Sequence, residues 1–324
     1  SNRIEHELPS NIHVESLFNH KATKVDRLWR VKKSVEKLEA WFKQQSAMFG
    51  EFNLVLSNLD RSNNLLAQSA IENVHYVIHS SIDAELSHQK KWNLFARFYL
   101  KKSKRRLSGK SLVCVSKGIE DEIFHGDVSN NNTLRTIYNP INFSEIQKKA
   151  EIEIKDIPEE PYIIHVGRFA RVKRHDVLFS AFSRVPRPYK LVLLCNKTKK
   201  ARLVAERFGI ADRLVLPGFQ KNPYNWIKHA KALVLSSDYE GLPTVLIEAL
   251  ALRVPVVSTD CTHGPKEILT GDLAQFLVPI RDSDALGKAI NVVLEDKPEI
   301  SNPDILNKVS SNYVASQYLM LGNK

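Results

Sequence analysis

Short apolar runs alternate with amphipathic stretches along most of the 324 residues. Consecutive Val, Ile and Leu residues predict strands buried on both faces, as in a parallel sheet. These predicted strands are residues 12–17, 53–57, 74–78, 112–115, 134–138, 162–166, 190–194, 232–236 and 254–258. Apolar residues at helical spacing predict helices over residues 22–49, 62–71, 174–183, 244–252 and 304–319. The alternation predicts an α/β protein.

The most informative stretch links the strands at 232–236 and 254–258 through a glycine-containing loop and a helix with Pro243 at its first position. The helix start, Gly241-Leu242-Pro243-Thr244, presents backbone N–H groups that can bind a phosphate. Glu240 lies at the mouth of the strand and Glu248 on the second helical turn, where carboxylates can accept hydrogen bonds from sugar hydroxyls. Two interpretations are open: a nucleotide-sugar site, or an ordinary crossover with two solvated glutamates.

The segment EGLPTVLIEALALRVPVVST, followed by Gly264-Pro265-Lys266-Glu267-Ile268-Leu269, resembles the donor-site signature of the family 4 glycosyltransferases, which are retaining enzymes of the GT-B fold. The resemblance implies two Rossmann-like domains with parallel sheets that face each other across a cleft. It implies hexosyl transfer from a nucleotide-diphosphate sugar, expected to be a UDP-sugar, to an acceptor hydroxyl. Glu248 would hold the ribose, Glu240 the transferred sugar, and residues 241–244 the donor diphosphate.

The resemblance also predicts the domain organisation. Residues 1–140 form the acceptor domain, 141–160 the linker, 161–303 the donor domain, and 304–324 a C-terminal helix that crosses back toward the first domain. GT-B N-domains normally open with a strand and a glycine-rich loop, whereas the first glycine here is Gly50. The opening β-α-β is therefore deleted or absent from these residues.

Three further residues match family positions. Arg168 and Lys173 follow the strand at 162–166 in the family's Gly-Arg and Lys pattern, and two cations on one loop can chelate a diphosphate. Arg171 and Arg174 are predicted to be solvated. His79 ends the strand at 74–78, where the family has a histidine near the donor sugar, although a lone histidine is more often structural.

Asp282-Ser283-Asp284 has the Asp-x-Asp spacing that metal-dependent glycosyltransferases use to hold a divalent ion. It precedes a helical pattern (Leu286, Ile290, Val293), where aspartate is a preferred N-cap. We therefore predict a capping role, no metal and no cofactor, in a metal-independent enzyme.

The charge is uneven. Residues 1–118 hold 20 Lys and Arg against 11 Asp and Glu, a net charge of +9, while the remainder carries +2. The cations Lys101, Lys102, Lys104, Arg105 and Arg106 follow Trp92, Phe95, Phe98 and Tyr99. We expect the aromatic side chains to lie in the core and the cations to face an anionic membrane or acceptor. Nucleic acid is the least favoured partner, because no nucleic-acid motif accompanies the charge.

The predicted acceptor is a lipopolysaccharide, capsule or lipid-linked oligosaccharide. Two alternatives stay open: a soluble glycosyltransferase that acts on a small sugar phosphate, and a catalytically idle donor-binding partner subunit. No apolar run has the length of a membrane span, and nothing resembles a signal peptide. Three cysteines in or beside apolar strands predict buried thiols in a reducing cytosol. The expected location is cytoplasmic, with peripheral association at the inner membrane face as an option.

Overall fold

The structure, a computed structural model, describes residues 11–18, 30–81, 94–126, 131–154, 156–300 and 303–322. The chain divides into two compact units. Unit 1 comprises residues 1–114, 122–135 and 319–324, and unit 2 comprises residues 115–121 and 136–318. Each unit is built around its own sheet.

The sheet of unit 1 has four strands in the order β1-β2-β3-β4. Its strands are β1 (Val55–Asn58), β2 (Val74–Ile78), β3 (Ser111–Cys114) and β4 (Thr133–Thr136). The helices that accompany them are α1 (Val31–Phe49), α2 (Asp60–Leu66), α3 (Leu94–Arg105) and α4 (Lys117–His125). β1, β2 and β3 run parallel, with Val55 opposite Val74 and Tyr76 opposite Leu112. The predicted β/α alternation is thus present in this half of the chain.

The strand predicted at residues 12–17 is wrong, because residues 13–18 have no regular structure. Glu15 instead accepts hydrogen bonds from the side chains of Trp41 and Gln45 on α1. α1 begins at Val31. Of the helix predicted over residues 22–49, residues 22–29 lie outside the described residues, and residue 30 forms a turn.

The sheet of unit 2 has six strands in the order β10-β9-β8-β5-β6-β7. Its strands are β5 (Tyr162–Val166), β6 (Lys190–Leu194), β7 (Leu214–Val215), β8 (Ala232–Leu235), β9 (Val256–Thr259) and β10 (Leu277–Val278). All neighbours pair in parallel. β5 is central, since Ile163 lies opposite Leu191 of β6 on one side and Ala232 of β8 on the other. This is the strand order of a doubly wound nucleotide-binding sheet.

The helices of unit 2 follow the strands in the expected alternation. They are α5 (Phe143–Ala150), α6 (His175–Phe182), α7 (Thr198–Glu206), α8 (Tyr224–Lys228), α9 (Thr244–Ala251), α10 (Pro265–Ile268), α11 (Ser283–Asp296) and α12 (Asp304–Val309), with α13 (Ser311–Gly322) continuing into unit 1. The central strands are fully buried, as Ile164, Val192 and Val234 show. Each such side chain contributes roughly 1.5–3 kcal/mol through burial, which explains why uninterrupted apolar runs predicted these strands well.

Several boundaries differ from the prediction. The helix expected over 304–319 is two helices, because the chain turns at Ser310, which forms a parallel bridge with Ile141. The stretch 141–160, predicted as a linker, contains α5, whose N-cap Asn142 accepts from the N–H of Glu145. The three cysteines are buried, as predicted. Within the described part of the chain, no helix is both long and apolar enough to cross a membrane.

Candidate functional site

The strand order of unit 2 creates a crevice at the carboxyl ends of β5 and β8. These two strands are neighbours, but the chain leaves β5 toward β6 and leaves β8 toward β9, on opposite sides of the pair. In doubly wound sheets ligands bind at such a switch point, where two loops diverge and leave a gap. The loop after β5 carries Arg168 and Lys173, and the loop after β8 carries Glu240.

Lys173 and Glu240 meet across this crevice. Lys173 Nζ lies 2.6 Å from Glu240 Oε1, and the two side chains are only 18% and 13% exposed. Ser237 Oγ donates to the same Oε1 at 2.5 Å. Among the described residues no bond is made to Oε2, so this oxygen can accept from a ligand hydroxyl. The sequence predicted both residues as site residues, and the structure brings them together.

The backbone of Glu240 is fixed by the loop after β9. Its N–H donates to the carbonyl oxygen of Thr262 at 3.1 Å, and Tyr239 forms a parallel bridge with Thr262. Gly264 follows with φ +88°, and a Cβ there would lie 2.9 Å from the carbonyl oxygen of Gly241 and collide with the ring of Pro243. Only glycine permits this conformation and this close approach together.

The start of α9 lies beside Glu240. α9 begins at Thr244, and Pro243 is the residue before its first turn rather than its first helical position, which corrects the prediction. Leu242 and Pro243 are buried, and Gly241 is half-buried. The N–H groups of Thr244 and Val245 have no intrahelical acceptor and carry the positive end of the helix dipole, so they can bind an anion. The N–H of Leu246 instead donates to the carbonyl oxygen of Pro243 at 3.0 Å.

Glu248 lies one turn into α9, on the face of Thr244, whose hydroxyl donates to its carboxylate. Burial raises the pKa of Glu248 to about 6, and the hydrogen bond from Thr244 lowers it only in part. Burial, followed by the charge of Glu248, raises the pKa of the Tyr224 phenol to about 12. Glu248 is largely buried, and its pKa shift has no contribution from a neighbouring cation. Such a carboxylate is suited to accept hydrogen bonds from a neutral diol.

The loop after β5 makes more ion pairs than the sequence indicated. Arg168 is exposed, as is Arg171. Arg174, predicted to be solvated, is only 21% exposed and donates to Asp176 at 2.7 Å and to Asp238 at 3.3 Å. That prediction was wrong, because Asp238 comes from a loop more than sixty residues away in sequence.

Sequence reasoning missed the Asp238 cluster. Arg281, which follows β10, donates to both carboxylate oxygens of Asp238, each at 3.0 Å. The available signal was the position of Asp238, two residues before Glu240 at the end of the same strand. Neither arginine stands in a motif that would have identified it.

His79 lies in unit 1, at the carboxyl end of β2. Its Nε2 is 3.0 Å from Oδ1 of Asn58, the last residue of the neighbouring parallel strand β1. Burial lowers the pKa of His79, and the charge of Asp60 raises it in part. Burial thus disfavours the charged imidazolium, and Nε2 lies within hydrogen-bonding distance of Asn58. Its predicted catalytic role stays a prediction.

The predicted basic cluster does not form one surface. Lys101, Lys102 and Arg105 are exposed, but Lys104 is 2% exposed and pairs with Asp60 at 2.6 Å. Lys104 therefore cannot face a membrane, because its side chain is buried in unit 1. Arg106, half-buried, donates to Oδ1 of Asn64 at 2.6 Å.

The aromatic residues ahead of this cluster were expected in the core. Phe98 contradicts that expectation, since it is 69% exposed. Trp92 lies outside the described residues, as do the side chains of Phe95 and Tyr99.

Asp282 caps α11, as predicted, and its Oδ1 accepts from the N–H groups of Asp284 and Ala285. Asp284 pairs with Arg184 at 2.5 Å. In the described ranges, no three His, Cys, Asp or Glu residues are grouped so that they could hold a metal ion. The two aspartates thus have structural partners of their own.

The arrangement in unit 2 can bind a ligand that is anionic at one point and rich in hydroxyls at two others. Lys173, Arg168 and the start of α9 supply positive charge, while Glu240 and Glu248 accept hydrogen bonds on either side. A nucleotide-diphosphate sugar has this distribution, with a ribose and a sugar at opposite ends of a diphosphate.

Comparison with known proteins identifies a family and several relatives. The family described as "Glycosyl transferases group 1" matches residues 147–308, which is half of the chain. One relative, 30% identical over 185 residues, is the Campylobacter jejuni N-acetylgalactosamine-N,N'-diacetylbacillosaminyl-diphospho-undecaprenol 4-alpha-N-acetylgalactosaminyltransferase, and the match covers 56% of this chain and 50% of that protein. Another, 27% identical over 214 residues, is the lipopolysaccharide 1,6-galactosyltransferase of Escherichia coli K12, with 64% and 58% covered. The chain thus spans about half the length of these curated relatives.

Among solved structures, Anabaena HepE in complex with UDP and glucose is similar to this chain. The TM-score is 0.66 at 16% identity, with 94% of this chain and 82% of that one covered. At this identity the likeness concerns the fold. It confirms the predicted α/β class with parallel sheets in two units and GT-B glycosyltransferases as structural neighbours.

Proposed function

Because the chain belongs to the group 1 glycosyl transferases, we propose that unit 2 binds a nucleotide-diphosphate sugar whose sugar is transferred to an acceptor hydroxyl. The observation that carries the proposal is the Lys173–Glu240 pair at the switch point of the sheet, directly beside the start of α9. The cation faces the anionic part of such a donor, and the carboxylate faces the hydroxyls of its sugar. A UDP-sugar is the proposed donor, since a solved neighbour is described in complex with UDP and glucose.

The proposed roles follow the positions of the residues. Glu248 accepts from the ribose hydroxyls, and Glu240 accepts from the transferred sugar through Oε2. Arg168 and Lys173 bind the diphosphate together with the N–H groups of Gly241, Leu242 and Thr244. As the leaving group departs it gains negative charge, so these prepositioned positive groups stabilise the transition state more than the ground state.

The proposed transfer retains the anomeric configuration, as the resemblance to family 4 implies. The acceptor oxygen forms a bond to the anomeric carbon on the face from which the phosphate oxygen departs. The acceptor proton passes to that departing oxygen, and the diphosphate leaves as the nucleotide. No residue is required as a covalent nucleophile, and a catalytic role for His79 is part of the proposal.

The proposed acceptor is a cell-surface glycan or a lipid-linked oligosaccharide. Relatives named for lipopolysaccharide and for a diphospho-undecaprenol substrate support this class. The exposed cations Lys101, Lys102 and Arg105 of unit 1 support contact with an anionic surface or acceptor. Lys104 is excluded from this role, because it is buried and pairs with Asp60. Arg106 is restricted by its hydrogen bond to Asn64.

The test is UDP binding measured by calorimetry, with EDTA present throughout. We expect wild-type chain to bind UDP in EDTA, because Arg168, Lys173 and the helix start meet the phosphate charge without a metal ion. Lys173→Ala should weaken binding by about tenfold or more, since hydrogen bonds to charged groups contribute about 1.5–3 kcal/mol. Loss of wild-type binding in EDTA and its return with Mg²⁺ or Mn²⁺ would overturn metal independence. Absence of nucleotide binding under all these conditions would overturn the donor site itself.

A further inference from the structure

The backbone around Lys173 is tied to the segment that follows β8. Ser236 Oγ donates to the carbonyl oxygen of Lys173 at 2.7 Å, and the N–H of Asp238 donates to the carbonyl oxygen of Val172 at 2.8 Å. Ser236 is fully buried. Two consecutive carbonyl groups of the 3-10 turn Arg171–Lys173 are therefore held by one segment, whereas neither bond holds the next residue, Arg174.

The carboxylate of Asp238 adds a third tie at the next residue. It accepts from Arg174 Nη1, at 3.3 Å to Oδ1 and 3.5 Å to Oδ2. With side chains only 21% and 13% exposed, this pair is better shielded from solvent and salt than an ordinary surface pair.

Arg174 needs such support because its backbone is left-handed. Its φ is 46°, and it stands between the 3-10 turn and α6, where a side-chain-bearing residue is strained. A conformation of this kind persists only where the surroundings fix it. The carboxylate of Asp238 and that of Asp176 fix the guanidinium of Arg174 from two directions.

We propose that Asp238 is a positioning residue for the donor diphosphate: it fixes the turn at residues 171–174 and thereby places Lys173 against Glu240. The inference rests on the proposed function, in which Lys173 binds the diphosphate. Arg281 shares the carboxylate of Asp238, but its guanidinium donates to Asp238 and not to the turn at residues 171–174, and its side chain is 61% exposed. It belongs to the surface side of the cluster.

Two substitutions separate position from charge. Asp238→Ala and Asp238→Asn remove the same negative charge near an anion site, and by charge alone both should tighten UDP binding. Only asparagine keeps an acceptor for Arg174. We expect Asp238→Ala to weaken UDP binding about tenfold, as for the loss of a bond to a charged group, and Asp238→Asn to stay within about threefold of wild type. Tighter binding in both variants would overturn the inference.

A double-mutant cycle then tests whether Asp238 acts through Lys173. In a Lys173→Ala background, Asp238→Ala should change UDP affinity by less than about twofold, because coupled residues are non-additive. The same tenfold loss in both backgrounds would show that Asp238 acts independently of Lys173. If Lys173→Ala alone leaves UDP affinity unchanged, the proposed function fails instead, and the two failures are thus distinguished.

A measurement without ligand completes the test. The turn has its own hydrogen bonds, from the N–H of Lys173 to Ala170 at 3.1 Å and from the N–H of Arg174 to Arg171 at 3.2 Å. Hydrogen–deuterium exchange at these two N–H groups should accelerate in Asp238→Ala. It should stay near the wild-type rate in the matched control Arg281→Gln, within about threefold, since an exposed pair contributes little. Unchanged exchange in Asp238→Ala, or equal acceleration in Arg281→Gln, would overturn the role of Asp238 in holding the turn.

Discussion

At the scale of single residues, Glu248 shows a conflict between stability and binding. Burial raises the pKa of this carboxyl to about 6, so the folded chain holds the proton more tightly than the unfolded chain does. The associated stability is present below the ordinary glutamate pKa and is lost as the pH rises through about 6. Above that pH the site therefore contains an ionised carboxylate that costs free energy in the absence of a ligand.

We predict that Glu248→Gln stabilises the unliganded chain above pH 6 and weakens UDP binding. The gain in unfolding free energy should be at most about 2 kcal/mol, from about 1.4 kcal/mol per pKa unit. Wild-type UDP affinity should rise between pH 5 and pH 7 as the carboxyl ionises. The terminal phosphate of UDP titrates in the same range, so the glutamine variant serves as the control. Identical pH profiles for the two proteins, measured by calorimetry, would contradict the role of Glu248.

At the scale of elements, the site depends on how closely the loop after β9 approaches the start of α9. Gly264 makes this approach possible, because a Cβ would lie 2.9 Å from the carbonyl oxygen of Gly241. Gly209 offers a matched comparison in the same unit. Its φ is +66°, but no atom lies within 4 Å of its would-be Cβ.

We predict that Gly264→Ala lowers the unfolding free energy more than Gly209→Ala does. An alanine in the left-handed region costs about 1–2 kcal/mol. Gly264 has φ 88° and ψ −60°, outside that region, so alanine there is strained further and also collides with the loop before α9. Gly264→Ala should also weaken UDP binding, while Gly209→Ala should not. Denaturant titration and calorimetry measure the two effects. Equal destabilisation in both variants would show that the loop before α9 yields without cost.

At the scale of the whole molecule, the excess positive charge of residues 1–118 calls for an anionic partner. The exposed residues Lys101, Lys102 and Arg105, with Phe98 exposed nearby on α3, are the proposed contact. Each cation near an anionic lipid surface adds about 1 kcal/mol of attraction.

We predict that the protein binds vesicles containing anionic lipid and that the triple substitution Lys101→Gln, Lys102→Gln, Arg105→Gln reduces binding. Raising the salt should weaken binding, because exposed charges are screened over about 8 Å at physiological ionic strength. The matched control removes three exposed cations from α7 of unit 2: Lys199→Gln, Lys200→Gln and Arg202→Gln. Co-sedimentation that falls equally for both triple variants would show that net charge alone, and not this surface, is responsible. If the protein does not bind anionic vesicles at low salt, a soluble anionic acceptor is favoured instead.

The sequence alone determined the features that depend on neighbouring residues. Apolar runs predicted 162–166 and 190–194 with the bounds of β5 and β6, because strands buried on both faces must be apolar throughout. The spacing of Glu240 and Glu248 predicted that the first lies after the end of β8 and the second on α9. The prediction was possible because one loop and one helix contain both residues. Short irregular segments were beyond this reasoning, as residues 12–17 demonstrate.

The tertiary structure decided which charged side chains meet. Arg174 is a charged loop residue, for which the local sequence predicts solvent exposure. It nevertheless pairs with Asp238, because the loops after β5 and β8 start at the same edge of the sheet. Lys104 stands in a basic run, yet Asp60 neutralises it inside unit 1. The physical reason is the same in both cases: an ion pair requires two groups within about 4 Å, and that distance is set by strand order and helix packing, which local sequence patterns do not encode.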